Sequence, residues 1–176
     1  MCVVVAKHFV ETGWVLAKNR DRNYLPTIKM VQTTRGGVER LYLYDKQTGY
    51  SEGLNEHGIA IVSAAVAVKT DEKEGAAKKS AVNGTSPDGK RIRAALLEST
   101  VDKAVKKLID SKIPGNTFVT DGKVCTLIEG GYHPDDVERT NYRFEVIKCQ
   151  RDKTYVRTNH GIALPFLGYS DKTPDQ

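Results

Sequence analysis

The chain has 176 residues, of which 39% are hydrophobic and 28% are charged. This balance is typical of a globular domain with a packed core, and it excludes disordered and fibrous classes. The 27 basic residues exceed the 22 acidic ones and give a formal net charge of +5. The two signs are interleaved along nearly the whole length instead of forming a basic stripe, so we expect no nucleic-acid partner.

Cysteine usage and the lack of targeting segments favour a particular cellular location. Cys2, Cys125 and Cys149 are an odd number of cysteines without the spacing of metal ligands, and no secretory signal precedes them. The longest apolar stretch, from Gly58 to Val68, has about half the residues that a membrane-spanning helix needs. Gly-rich phosphate loops are absent. We therefore expect a cytoplasmic protein of one domain, residues 1–176, with no cofactor, no metal and no membrane partner.

In chain order, the pattern first predicts a β-hairpin near the N-terminus. The valine-rich segment Cys2 to Phe9 is followed by turn residues and a second apolar run, Trp14 to Lys18. Further strands are predicted over Arg40 to Tyr44 and Ile59 to Val66. The segments Tyr24 to Arg35 and Lys69 to Asn83 are interpreted as loops, and the second carries a dense run of charges.

Two helices follow, each with a recognisable start. Ser86 can cap the first helix, with Pro87 at its first position. Thr100 can cap the second, whose apolar face ends before Pro114. The last predicted strands are Thr117 to Thr120, Val124 to Ile128, Phe144 to Cys149 and Tyr155 to Arg157. Helices that lie between two blocks of strands favour an α+β layered fold.

Cys2 can carry chemistry once Met1 is removed. A residue as small as cysteine in the second position permits that removal, which leaves a thiol and a free α-amine on one residue. An α-amine titrates near the pH of the cytosol, so it can take the thiol proton and later return it to a leaving group. The alternative interpretation of Cys2 is a small apolar residue on a terminal strand.

The predicted hairpin returns polar residues to Cys2, because the second strand of an antiparallel pair ends beside the start of the first. Asp21 could then bind the α-ammonium, and Lys18 could favour the thiolate or hold a substrate oxygen. Without that proximity, both residues fit an ordinary charged turn.

Several short motifs follow one another in a characteristic order. They are Met1-Cys2, the turn from Lys18 to Asp21, the segment Gly53 to Ile59, Gly115-Asn116 and Thr158-Asn159-His160. Together they resemble the choloylglycine hydrolase and penicillin acyltransferase branch of the N-terminal-nucleophile hydrolases. The resemblance spans almost the whole chain and implies an αββα four-layer sandwich, with two antiparallel sheets between helical layers. Because members of this branch continue with more strands, it also implies a C-terminally trimmed fold or a fragment.

The resemblance assigns roles to individual positions. Cys2 matches the nucleophile, Asp21 the residue that holds its amine, and Asn159 an oxyanion-hole donor. Lys18 stands where these enzymes usually place arginine, which keeps the positive charge but loses the planar two-pronged grip on a carbonyl or carboxylate. The expected catalytic residues are Cys2, Asp21, Asn159 and Lys18. The expected substrate-binding residues are Lys18, Asn19, Ser63, Ala65 and His160.

One departure from the family pattern follows the turn at Gly58, where positive φ is expected and Asn55 should bond its own backbone. Members that cleave bile salts would carry a second oxyanion asparagine near the end of the next strand. This chain has Ser63, Ala64 and Ala65 there. Backbone amides would have to replace the missing side chain.

The sequence therefore predicts a cysteine amidohydrolase or acyltransferase that forms an acyl thioester on Cys2. Its partner would be a small-molecule amide or acyl substrate. The alternative is a binding or structural protein that keeps the fold without the chemistry. Enzymes of this branch often associate, so a homo-oligomer is compatible with the sequence, although no residue pattern specifies an interface.

Overall fold

The computed structural model describes residues 2–20, 24–65, 86–133, 135–136 and 138–167. The first strands are β1 (Cys2–Phe9), β2 (Gly13–Arg20), β3 (Ile28–Arg35), β4 (Val38–Asp45), β5 (Ser51–Asn55) and β6 (Ala60–Ala64). The helices are α1 (Pro87–Ala95) and α2 (Val101–Asp110). The last strands are β7 (Gly115–Thr120), β8 (Cys125–Tyr132), β9 (Tyr142–Lys148) and β10 (Thr154–Arg157).

The strands form two sheets in which every pair is antiparallel. The smaller sheet has the strand order β10-β1-β2, and the larger has the order β3-β4-β5-β6-β7-β8-β9. Both helices belong to the connection between β6 and β7. Antiparallel sheets with one segregated block of helices confirm the predicted α+β class.

The larger sheet lies between the helices and the smaller sheet. On one side, a core cluster that includes Ile61, Ile92 and Leu108 joins it to α1 and α2. On the other side, a cluster that includes Val4 and Phe118 joins it to the smaller sheet. The described residues thus form three layers. They contain no helix on the outer face of the smaller sheet, so the fourth layer stays a prediction.

The predicted caps and turn are confirmed. Ser86 accepts a hydrogen bond from the backbone of α1, and Thr100 does the same for α2. Both bonds satisfy N–H groups that have no partner inside the helix. Gly58 has a φ of 78°, and Asn55 Oδ1 accepts from two backbone N–H groups of the same turn.

The loop predicted over Tyr24 to Arg35 is wrong, because its second part forms the edge strand β3. Most residues of β3 are exposed, so the strand lacks the apolar alternation that reveals a half-buried strand. The segment Lys69 to Asn83 lies outside the described residues. Within the described residues, no helix combines the length and the apolarity needed to cross a membrane.

Candidate active site

Cys2 opens β1 on the inner face of the smaller sheet. The hairpin register pairs Cys2 with Arg20 and Val4 with Lys18. Directly opposed residues of antiparallel strands project from the same face, and Cys2 and Val4 both contact the core between the sheets. The hairpin therefore places the Cys2 side chain on one face with two cations, Lys18 and Arg20.

The side-chain amide of Asn159 connects Cys2 to the end of β6. The backbone nitrogen of Cys2 donates to Asn159 Oδ1 at 2.6 Å, and Asn159 Nδ2 donates to the carbonyl oxygen of Ala65. A primary amide carries two N–H groups, and the described residues supply an acceptor for one of them. Asn159 thus holds the backbone nitrogen of Cys2, the atom that removal of Met1 would convert into an α-amine.

Asn116 on β7 fixes the loop that carries Asn159. Its Nδ2 donates to the carbonyl oxygens of Thr158 and His160, each at 2.8 Å. One side chain therefore holds the backbone on both sides of Asn159. Asn116 is fully buried, and its Oδ1 has no hydrogen-bond partner in the described residues.

Glu129 on β8 anchors the same loop and lies directly opposite Asn116 in the sheet register. Its Oε1 accepts from Arg157 Nε at 2.8 Å. Its Oε2 accepts from the backbone N–H groups of residues 162–164 at distances of 2.7 to 3.1 Å. Glu129 is fully buried, and these four donors offset the desolvation of its carboxylate. Glu129 was not predicted as a site residue from the sequence.

Lys18 makes polar contacts with the larger sheet. Its Nζ forms an ion pair with the carboxylate of Glu52 on β5 and donates to the Ser63 carbonyl at 2.6 Å. The side chains of Lys18 and Glu52 are only 7% and 18% exposed, so each charge depends on its partner. Glu52 was missed at the sequence level, because β5 is short and no local pattern shows which residue it will face.

Tyr50 packs against both cations. Its ring centroid lies 4.2 Å from Arg20 Cζ and 4.8 Å from Lys18 Nζ, within the range of cation–π contacts. Its hydroxyl donates to the Ser63 carbonyl at 2.7 Å. Burial raises the pKa of Tyr50 well above its ordinary value, and the nearby Cys2 adds to that rise. The phenol therefore stays a hydrogen-bond donor even above pH 10.0, where an ordinary tyrosine ionises.

Two cavities meet at Lys18 and Glu52. The first, of about 250 Å³, is lined mostly by polar or charged residues, among them Arg20, Asp45 and Tyr50, together with the apolar Ile28 and Leu43. The second, of about 460 Å³, lies between β2 and the inner face of β3 to β6. Its lining is mainly apolar and includes Trp14, Leu16, Leu41, Leu54 and Val62. The Lys18–Glu52 pair therefore separates a polar cavity from an apolar crevice.

Ser63 and Ala65 reach the site through their backbone. The Ser63 side chain is buried, and its hydroxyl accepts from Thr117 Oγ1 at 2.9 Å. The Ser63 carbonyl oxygen instead accepts hydrogen bonds from Lys18 Nζ and the Tyr50 hydroxyl. Ala65 supplies the carbonyl oxygen that fixes the Asn159 amide.

The structure does not bring Asn19 to the site. It lies opposite Val3 and is exposed on the outer face of the smaller sheet, because side chains alternate between the two faces of a strand. His160 belongs to the anchored loop, and its Nδ1 lies 3.5 Å from the Thr158 hydroxyl. Asp21, predicted to bind the α-amine, lies outside the described residues.

No protein-family model and no curated protein matches the chain. Among the residues with described positions, His, Cys, Asp and Glu side chains form no group of three that could hold a metal ion. Support for any chemistry therefore comes from the residues and contacts of this chain.

Proposed function

We propose that this chain is a cysteine N-terminal-nucleophile hydrolase of linear amides, with acyl transfer as a second outcome of the same thioester. The observation that carries the proposal is the 2.6 Å hydrogen bond from the Cys2 nitrogen to Asn159 Oδ1. In such an enzyme this nitrogen acts as the base, so it must be held in place beside its own thiol. The proposal includes the αββα four-layer fold and a cytoplasmic location.

The mechanism begins when removal of Met1 frees the α-amine of Cys2. The amine takes the thiol proton, and the thiolate attacks the carbonyl carbon of the substrate amide. The remaining N–H of Asn159 and backbone N–H groups at the end of β6 stabilise the tetrahedral oxyanion. The α-ammonium then protonates the leaving nitrogen, the C–N bond breaks, and an acyl thioester remains on Cys2. Water or an acceptor amine releases the acyl group.

The two cavities that meet at Lys18 suit this chemistry, although Cys2 itself lines neither of them. Lys18 and Arg20 lie on the Cys2 face of the hairpin, where their N–H groups can bind a substrate oxygen. The apolar crevice suits an apolar acyl group, since each buried methylene contributes about 0.8 kcal/mol. The polar cavity beside Arg20 and Tyr50 suits the leaving amine.

The direct test controls the appearance of the α-amine. The chain is produced behind a protease site whose cleavage leaves Cys2 as the first residue, and the uncut protein is the matched control. Both forms are incubated with a series of N-acyl amides of increasing acyl length. Release of amine and the mass of a Cys2 adduct are then measured. We expect turnover and an acyl adduct only after cleavage, and loss of turnover in Cys2→Ala and Cys2→Ser.

Two results would contradict the proposal. One is equal reactivity of Cys2 in the cut and uncut proteins, which means that the α-amine takes no part. The other is a folded, cleaved protein that turns over none of the amides and forms no adduct. That outcome favours the alternative, a binding or structural protein that keeps the two sheets without the chemistry.

A further inference from the structure

The other two cysteines lie opposite each other, Cys125 at the start of β8 and Cys149 directly after β9. Cys125 begins β8, and the register that pairs Thr126 with Lys148 continues to Cys149. The backbone nitrogen of Cys149 donates to the Cys125 carbonyl at 2.9 Å. Hydrogen-bonded partners in antiparallel sheets have Cα atoms about 5.5 Å apart. That separation lies within the range found for disulfides.

Both thiols point into the core between the sheets. Cys125 and Leu127 belong to that core, and Ile147 and Cys149 pack against it. Cys125 is only 2% exposed, whereas Cys149 is half-buried just after the end of β9. The backbone after Cys149 is not held in a strand, so the small approach that a bond between the sulfurs needs can come from this side.

The two thiols also differ in reactivity. A hydrogen bond from the Cys125 thiol, with the positive charge of Arg157 as a further cause, lowers the pKa of Cys149. The same hydrogen bond, together with burial, raises the pKa of Cys125. The thiolate therefore forms first on Cys149, which is also the more accessible sulfur. Nucleophilic attack by cysteine requires the thiolate.

We propose that Cys125 and Cys149 are a peroxide-reactive thiol pair that closes to an intramolecular disulfide. The Cys149 thiolate attacks one oxygen of hydrogen peroxide, the O–O bond breaks, and the leaving hydroxide takes up the released proton to form water. The sulfur of Cys125 then attacks the sulfenic acid, and its proton leaves with the hydroxyl group as a second water. Two thiols are oxidised by two electrons in total, and a dithiol reductant restores them.

Cys2 is the competing partner, because it contacts the same core from the smaller sheet. Sheets that pack face to face lie about 10 Å apart, which is farther than neighbouring strands of one sheet. The register thus favours Cys149 as the partner of Cys125. The thiol pair is independent of the proposed amide hydrolysis, which uses Cys2.

The experiment uses the full chain carrying Cys2→Ser, so that Cys125 and Cys149 are the remaining thiols. The folded protein is treated with hydrogen peroxide, denatured, alkylated and weighed by mass spectrometry. We expect a monomer that has lost two hydrogen atoms and both alkylation sites. Peptide mapping should join Cys125 to Cys149. A dithiol reductant should return both sites.

Two further variants test the order of events. With Cys125→Ser, or Cys125→Ala if the serine variant does not fold, Cys149 should gain one oxygen atom. The resulting sulfenic acid should be trapped by a cyclic 1,3-diketone. With Cys149→Ser, Cys125 should resist the same peroxide treatment. The proposal fails if both thiols of the folded Cys2→Ser protein can still be alkylated after treatment with peroxide. It also fails if the disulfide joins two chains, or if wild-type protein links Cys2 in preference.

Discussion

The backbone nitrogen of Cys2 and the side-chain carbonyl of Asn159 lie 2.6 Å apart, although 157 positions separate the two residues. The other end of the Asn159 amide donates to the carbonyl oxygen of Ala65. One side chain therefore joins the start of β1, the residue after β6 and the loop after β10. This junction defines the candidate active site.

Replacing Asn159 separates its two functions. Asn159→Ala removes both the acceptor for the Cys2 nitrogen and the N–H donors, and we expect kcat/KM to fall by about 10²-fold or more. Asn159→Asp keeps the acceptor and loses the donors. It should therefore retain the alkylation rate of a cleaved Cys2 while turnover falls. Stopped-flow alkylation and amide hydrolysis measure the two effects. Unchanged turnover in the alanine variant would remove Asn159 from the site.

Asn116 is predicted to position Asn159 without contact with the substrate. Asn116→Ala loses two buried hydrogen bonds to the loop, so the free energy of unfolding should fall by about 2 kcal/mol. Turnover should fall as well, because the loop that carries Asn159 loses its anchor. Urea unfolding and kcat/KM are measured on the same preparation.

The neighbouring residue provides the matched control for Asn116. Thr117→Val removes the buried hydrogen bond to Ser63 Oγ, which does not involve the loop, and should cost about 1 kcal/mol. Its kcat/KM should stay near that of the wild-type protein. Equal losses of turnover in the two variants would mean that stability, and not the position of the loop, sets the rate.

Contacts between residues close in the sequence could be predicted, whereas contacts between distant residues could not. The pairing of Cys2 with Arg20 depends on a local hairpin, whose apolar runs and turn residues are visible in the sequence. The same alternation could have excluded Asn19, since it is adjacent to Lys18 and so must face the other way. The α+β class also followed from local signals, the caps at Ser86 and Thr100 among them.

The contacts that complete the site are not local. Glu52 reaches Lys18 from a short strand of the other sheet, and Tyr50 packs beside it from the preceding turn. Asn116 and Glu129 meet the Asn159 loop only because β7 and β8 are neighbours in the larger sheet. A single sequence carries no signal for such pairings. A buried carboxylate such as Glu129 looks the same in sequence as a surface one.

The Lys18–Glu52 pair should show strong coupling in a double-mutant cycle. Lys18→Met or Glu52→Gln alone removes the opposite charge from the other buried member of the pair, and each should lower the free energy of unfolding by about 3 to 5 kcal/mol. The double variant should lose clearly less than the sum of the two. Chemical unfolding of the four proteins at neutral pH gives the coupling energy.

An exposed ion pair is the control for that cycle. Lys106 Nζ lies 2.7 Å from Asp110 Oδ2 on α2, but the two side chains are 75% and 58% exposed. Their coupling should stay within about 0.5 kcal/mol. A similar coupling in the two cycles would show that the Lys18–Glu52 pair is as solvated as a surface pair.

The raised pKa of Tyr50 predicts that the folded chain loses stability at alkaline pH. Its pKa in the folded chain is raised above the ordinary value of 10.0, mainly by burial. Above that ordinary value the unfolded chain releases the phenol proton while the folded chain keeps it. The free energy of unfolding should then fall by about 1.4 kcal/mol for each further pH unit. Below it, both states are protonated and this contribution is fully present.

Tyr50→Phe isolates this effect. At neutral pH the variant loses the hydrogen bond to the Ser63 carbonyl, which still accepts from Lys18, so the cost should be about 1 kcal/mol. At alkaline pH its stability should decline less steeply than that of the wild-type protein. Tyr142, whose pKa burial also raises, serves as the comparison, because Tyr142→Phe should flatten the same curve without changing turnover. Parallel alkaline slopes for Tyr50→Phe and the wild-type protein would mean that the Tyr50 phenol ionises freely in the folded state.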